Sequence, residues 1–259
     1  MQNKRKKILP RLALLVMLPA SMIAAQEIHS NAEAINVAGK QRMYTMRMLR
    51  DYLMIGEKLN YKDPAGDLKK TIADFDEAGK ALQSYVKDPK LMEEMKGIHQ
   101  IWTSSRKMFS QPPVKEKALA YTKDANAFRK KLNTFVNDLS AHYGSSTAEV
   151  VNTAGRLRAV SQALAALYQL KAWGIKEASE MIKKPMKSFR DGLDYLDKAK
   201  ETQASMRPIL TKLERTYLFF KIMDDASDTA TPALVIKETD RMLKLANTLT
   251  GQYLSALKQ

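Results

Sequence analysis

The sequence predicts an all-α protein: two tandem antiparallel four-helix bundles packed as a pseudo-dimer within one chain. Three observations predict it. Apolar residues recur at three- and four-residue spacing between regularly placed breakers. No segment alternates apolar and polar residues with enrichment in Val, Ile or Thr. One helical pattern returns 116 residues further along the chain.

Residues 1–25 are set apart first. Lys4, Arg5, Lys6 and Lys7 form a cationic start, and Leu12 to Ala25 is an uncharged, mostly apolar run ending in Ala24-Ala25. This is the pattern of a secretory signal peptide cleaved after Ala25, and the run is too short for a spanning helix of about 20 residues. The mature protein is expected outside the cytoplasm, in a periplasm, with an uncleaved anchor as the alternative. Without this segment 38 basic residues face 28 acidic ones, a net charge of +10 instead of +15. That balance favours anionic partners without naming one.

The remaining breakers are Asp63-Pro64-Ala65-Gly66, Asp88-Pro89, Gln111-Pro112-Pro113, Gly144-Ser145-Ser146, Lys184-Pro185, Arg207-Pro208 and the stretch from Asp224 to Pro232. Several put Pro at the first turn of the next helix, where a missing N–H costs nothing. They predict eight helices, at 31–60, 66–87, 90–109, 114–142, 147–182, 186–204, 208–223 and 232–257. Short connections make neighbours antiparallel, so the helices form two up-down-up-down units at 31–143 and 147–259. A tight turn at Tyr143–Thr147 would start the second unit at the pole where the first ends. The first and fifth helices would then run parallel, side by side. A continuous helix through Gly144-Ser145-Ser146 is the competing picture.

The repeat is densest on those two helices. Ile35-Asn36-Val37-Ala38-Gly39-Lys40-Gln41-Arg42 aligns with Val151-Asn152-Thr153-Ala154-Gly155-Arg156-Leu157-Arg158. Gly39, Arg42, Met43, Met46 and Arg50 share one face of the first helix, answered by Gly155, Arg158, Ala159, Gln162 and Ala166 on the fifth. A Gly inside a helix costs about 1 kcal/mol against Ala, so its recurrence needs a reason. Either two helices approach closely there or a ligand touches the backbone. An Arg one turn on suits a small oxyanion, because guanidinium is planar, permanently charged and weakly hydrated. Two such Arg facing each other would repel when empty and be drawn together by a bound anion. The plainer alternative is helix packing at the Gly, with the Arg paired to acids such as Asp51 or Glu33.

Residues Ala34 to Met48 resemble the opening helix of the NarX/PilJ-type sensory domain, the periplasmic module of nitrate-sensing kinases and type IV pili chemotaxis transducers. Asn152 to Leu164 is similar to the same motif, and so is Leu170-Lys171-Ala172-Trp173-Gly174. The resemblance implies four-helix bundles that dimerise through their first helices. In the nitrate sensors it implies one anion between the motif helices, held by the Arg three residues after the Gly. Carried over, these are Arg42 beside Gly39 and Arg158 beside Gly155. The family's second motif Arg is matched by Arg47, whereas the second copy has Ala163, so the site would be asymmetric. Arg47, Met46 and Gln162 complete the candidate ligand-binding set. No signalling module is expected to accompany the two units, so a signal would pass by contact with a membrane sensor kinase or chemotaxis receptor.

Other chemistry is weakly supported. Without Cys there is no disulfide, thiolate site or Cys nucleophile. His29, His99 and His142 are scattered, no Glu-x-x-His occurs, and no catalytic or phosphate-loop pattern appears. Thioether binding of Cu(I) by the 15 Met is an alternative, but the Met are dispersed and suit core filling. No basic helix is interleaved with aromatics for nucleic acid. The expected protein is therefore a non-enzymatic, cofactor-free periplasmic binder of a small anion such as nitrate or nitrite. It would be a monomer with an internal pseudo-dimer. The alternative is a ligand-free helical module that docks on a membrane receptor, a pilus or the envelope.

Overall fold

The structure, a computed structural model, describes residues 27–59, 61–143, 146–225 and 231–256. The leader and the Gly144-Ser145 turn predicted from sequence lie outside these residues, as does most of the Asp224–Pro232 break. The described residues form eight helices and no strand: α1 (Asn31–Gly56), α2 (Pro64–Tyr85), α3 (Pro89–Phe109), α4 (Lys115–Tyr143), α5 (Ser146–Ala172), α6 (Ala178–Lys198), α7 (Arg207–Asp225) and α8 (Pro232–Ala256). Among them, no helix is long and apolar enough to cross a membrane.

Helix starts follow from local chemistry. Ser30 accepts from the Glu33 amide, Asp63 from Gly66 and Asp88 from Leu91, each satisfying an orphan N–H of a first turn. Pro64 and Pro89 follow those caps as first-turn prolines.

Helix α1 packs against α2, α4 and α5, and α5 packs against α1, α4, α6 and α8. Tyr85 meets Asn31 and Arg47 meets Asp67, so α2 runs antiparallel to α1. The side chains of Asn137 and Asn152 are hydrogen-bonded at 3.0 Å. In a continuous helix those residues would be separated by about 22 Å of rise, so the chain reverses between α4 and α5. Contacts between α1 and α5 ascend together: Arg42 meets Asn152, Arg50 meets Gln162, and Gly56 meets Trp173. The two helices are parallel and in register over most of their length. From Val150 to Leu170 every α5 residue except Arg156 is buried. A helix enclosed by four others needs no polar stripe, which is why α5 lacks a clear amphipathic pattern.

Four boundaries differ from the sequence reading by more than three residues. The first helix ends at Gly56 instead of 60, the fifth at Ala172 instead of 182, and α6 runs from Ala178 through Pro185 to Lys198 instead of from 186 to 204. Helix α5 ends where Gly174 turns to φ +84°, with the Gly174 amide bonded to the Lys171 carbonyl and the Ile175 amide to the Leu170 carbonyl. This is a Schellman cap. The same closure recurs 116 residues earlier, at Lys58 (φ +55°), with Lys58 bonded to Ile55 and Leu59 to Met54. Pro185 removes one hydrogen bond from α6, at a cost of about 3 kcal/mol. Ile182, Met186, Phe189, Leu193 and Leu196 form one buried stripe across it, and burying each such side chain contributes about 1.5–3 kcal/mol. The stripe outweighs the proline.

The paired caps give substitutions of opposite sign. Lys58→Gly should stabilise the protein by about 1 kcal/mol and Gly174→Ala should destabilise it by about as much, because only glycine occupies positive φ without strain. Urea denaturation of the two variants measures both; effects of the same sign would rule out the cap assignment.

Candidate functional site

Gly39 and Gly155 lie where α1 and α5 approach each other. A Cβ placed on Gly39 would sit 3.2 Å from Arg42 Nη2 and 3.3 Å from Arg158 Nη2. One on Gly155 would sit 2.8 Å from Arg158 Nη2 and 3.6 Å from Arg42 Nη2. Both guanidinium groups therefore crowd the two small spaces that the glycines leave. Arg42 is 1% exposed and Arg158 2%.

Their partners are neutral. Arg42 donates Nη1 to Asn133 Oδ1 at 2.8 Å and Nη2 to the Asn152 carbonyl at 3.3 Å. Arg158 donates Nε to the Gly155 carbonyl at 3.4 Å and Nη2 to the Asn36 carbonyl at 3.5 Å. Among the described residues neither Arg forms an ion pair with a carboxylate. Arg42 Nε and the side-chain oxygens of Asn36 and Asn152 are buried without a hydrogen-bond partner. Burial, reinforced by Arg156, Arg158 and Arg129, holds the Arg42 guanidinium well below its ordinary value. Burial lowers Arg158 to about 10, with Tyr44 acting in the opposite sense. Buried charge without a counter-charge is costly, and here two such groups share one gap.

The other predicted residues are elsewhere. Met46 is fully buried in the main apolar core, and Met43 packs with Ala159 and Leu243. Arg47 turns to Asp67, with Nη2 3.3 Å from Oδ2. Gln162 accepts from Arg50 Nη1 at 2.8 Å instead of meeting Arg42 or Arg158.

Arg50 belongs to a second network that the motif did not identify. It donates Nε to Asp51 Oδ1 at 2.8 Å and Nη1 to Asp240 Oδ1 at 2.8 Å, tying α1 to α8. Lys62 also bonds Asp240. Asp51, named from sequence as a partner for the motif Arg, is occupied by Arg50 and approached by Arg47. Its adjacency to Arg50 carried no signal, since consecutive helical residues do not ordinarily face each other. Burial pushes the Asp51 carboxyl up to about 6, against the pull of Arg50. Among the described residues no cluster of three His, Asp or Glu is placed to hold a metal ion.

Residues 23–128 match the family described as the type IV pili methyl-accepting chemotaxis transducer N-terminal domain, PilJ. The match takes in α1 to α3 and part of α4, including Gly39 and Arg42. Gly155 and Arg158 fall outside it. No curated protein and no solved structure matches the chain.

The raised Asp51 pKa sets the sign of a pH effect. A carboxyl that binds its proton more tightly when folded stabilises below its unfolded value and loses that contribution as pH rises through the folded one, about 6. Asp51→Asn removes the titration. Thermal melts should show the variant gaining on the wild type between about pH 4 and pH 6; a constant difference would contradict the assignment.

Proposed function

We propose that this chain is a sensory-type helical module that captures a small inorganic anion between α1 and α5, with Arg42 and Arg158 as its ligands. Nitrate and nitrite are the leading candidates. The observation that carries the reading is two buried guanidinium groups facing the same gap with, among the described residues, no carboxylate paired to either. The PilJ match adds a sensory context for the first half of the chain. The parallel register of α1 and α5 and their matching caps support two four-helix units related like subunits of a dimer, with the anion at their contact.

In this reading the empty site holds two like charges in a medium of low dielectric. A monoanion offsets one of them and accepts hydrogen bonds from both groups. The bound state favours closer approach of α1 and α5, and α5 passes the shift to α6 and α8, its neighbours in the second unit. Gly39 and Gly155 are the spaces into which the guanidinium groups fold. Arg47, Met46 and Gln162 support the site from neighbouring turns and do not form it. A docking module without ligand is the second reading. It is favoured by Leu218 and Ile222, which are 45% and 68% exposed one turn apart on α7. Output by contact with a membrane sensor kinase or chemotaxis receptor fits either reading.

Replacing Arg158 by Met separates a ligand role from a structural one. Loss of a buried charge that lacks a counter-charge should raise the stability of the anion-free protein by about 1–4 kcal/mol. The same variant should abolish nitrate and nitrite binding in calorimetry, and Arg42→Met should do likewise. Gly39→Ala should weaken binding about tenfold by crowding both Nη2 atoms. If neither anion binds the wild type, or if Arg158→Met leaves binding intact, the proposal is wrong.

A further inference from the structure

A second concentration of positive charge lies outside the α1–α5 contact, in an open cavity of about 330 Å³ between α4, α5 and α6. Arg129 and Lys130 reach it from α4, Arg156 from α5 and Lys184 from α6, and among the described residues no carboxylate lines it. Among the described residues none of the four forms an ion pair. Arg156 donates to Thr153 Oγ1 at 3.0 Å, a neutral partner on its own helix. The Nε atoms of Arg129 and Arg156 are both buried without a hydrogen-bond partner. The cavity is thus not a solvated lysine face, because two guanidinium groups are held partly out of water with unused donors.

Its size and its other wall narrow the ligand. Val160, Ala163 and Pro185 supply an apolar side. Ala163 stands 116 residues from Arg47, and where Arg47 fills its place and reaches Asp67, Ala163 leaves the wall short. The volume is at the lower end of small-molecule sites and far above what one inorganic anion occupies. Cations on three helices call for more than one anionic group, and guanidinium forks suit carboxylate and phosphate alike.

We propose that this cavity is a second ligand site, separate from the α1–α5 contact, for a small organic anion carrying two or more carboxylate or phosphate groups. Its occupant lies against Asn133, which also lines the cavity and accepts the hydrogen bond of Arg42. The two sites adjoin through Asn133 and through the charges of Arg129 and Arg156, which also act on Arg42, whereas Arg158 belongs to the α1–α5 contact alone.

Calorimetry on the purified protein tests this with succinate and citrate as carboxylates, a sugar phosphate as the phosphate ester, and inorganic phosphate and nitrate for comparison. At least one organic polyanion should bind about tenfold more tightly than inorganic phosphate. Which arm binds identifies the anionic group. Arg129→Gln should weaken that binding about tenfold, and so should the double variant Lys130→Gln with Lys184→Gln, whose exposed side chains leave folding intact. Arg158→Met, which should lose nitrate, should keep the organic ligand, so failure of one site is distinguishable from failure of the other. The proposal is overturned if no organic polyanion binds, if inorganic phosphate binds as tightly, or if the lysine double variant binds like the wild type.

Discussion

The close approach of α1 and α5 is the constraint on which the rest of the structure depends. Two helices can come this near only where side chains are small, and Gly39 and Gly155 provide that at the level where two long arginines must also fit. Bringing the helices together buries Arg42 and Arg158, encloses α5 on four sides and places the remaining helices around the pair. Neutral partners then carry the guanidinium groups: the Asn133 side chain and three backbone carbonyls. Such carbonyls satisfy donors but bring no net negative charge.

About two turns further along the same helices, the chain treats a similar problem in the opposite way. Arg50 is as deeply buried as Arg158, yet it is surrounded by Asp51, Asp240 and Gln162. Carboxylates are thus within the fold's means at this interface. Their absence around Arg42 and Arg158 is a local property of the site and not a general feature of the α1–α5 contact. The carboxylate-paired network acts as a clasp between the two halves of the chain, while the Arg42–Arg158 pair rests on neutral partners.

Much of the fold was legible. Eight helices, the reversal after α4 and the parallel course of α1 and α5 all followed from breakers, connection lengths and a long-period repeat. The exceptions have local causes. Pro185 reads as a break because it lacks an N–H, but a stripe from Ile182 to Leu196 holds it inside α6. The true break, at Trp173-Gly174, rests on one residue at positive φ, a signal that any glycine could carry. At the α1–α5 contact, the Gly-x-x-Arg spacing named four residues from two helices that lie close together in the structure. It failed for Arg47 and Gln162 because each had a stronger partner from another element: Asp67 on α2 and Arg50 on α1.

The sequence by itself determined the helices, their repeat and the residue pair at the centre, because these depend on spacing along one chain and on the conformational preferences of single residues. Tertiary structure alone decided the charge balance of that centre. Whether an arginine meets a carboxylate, an asparagine or nothing depends on which residues distant in sequence share its surroundings. Asp240 reaches Arg50 from 190 residues away, and among the described residues no such acid reaches Arg42 or Arg158. The cavity over Ala163 follows from the same cause, a short side chain where three helices place four cations.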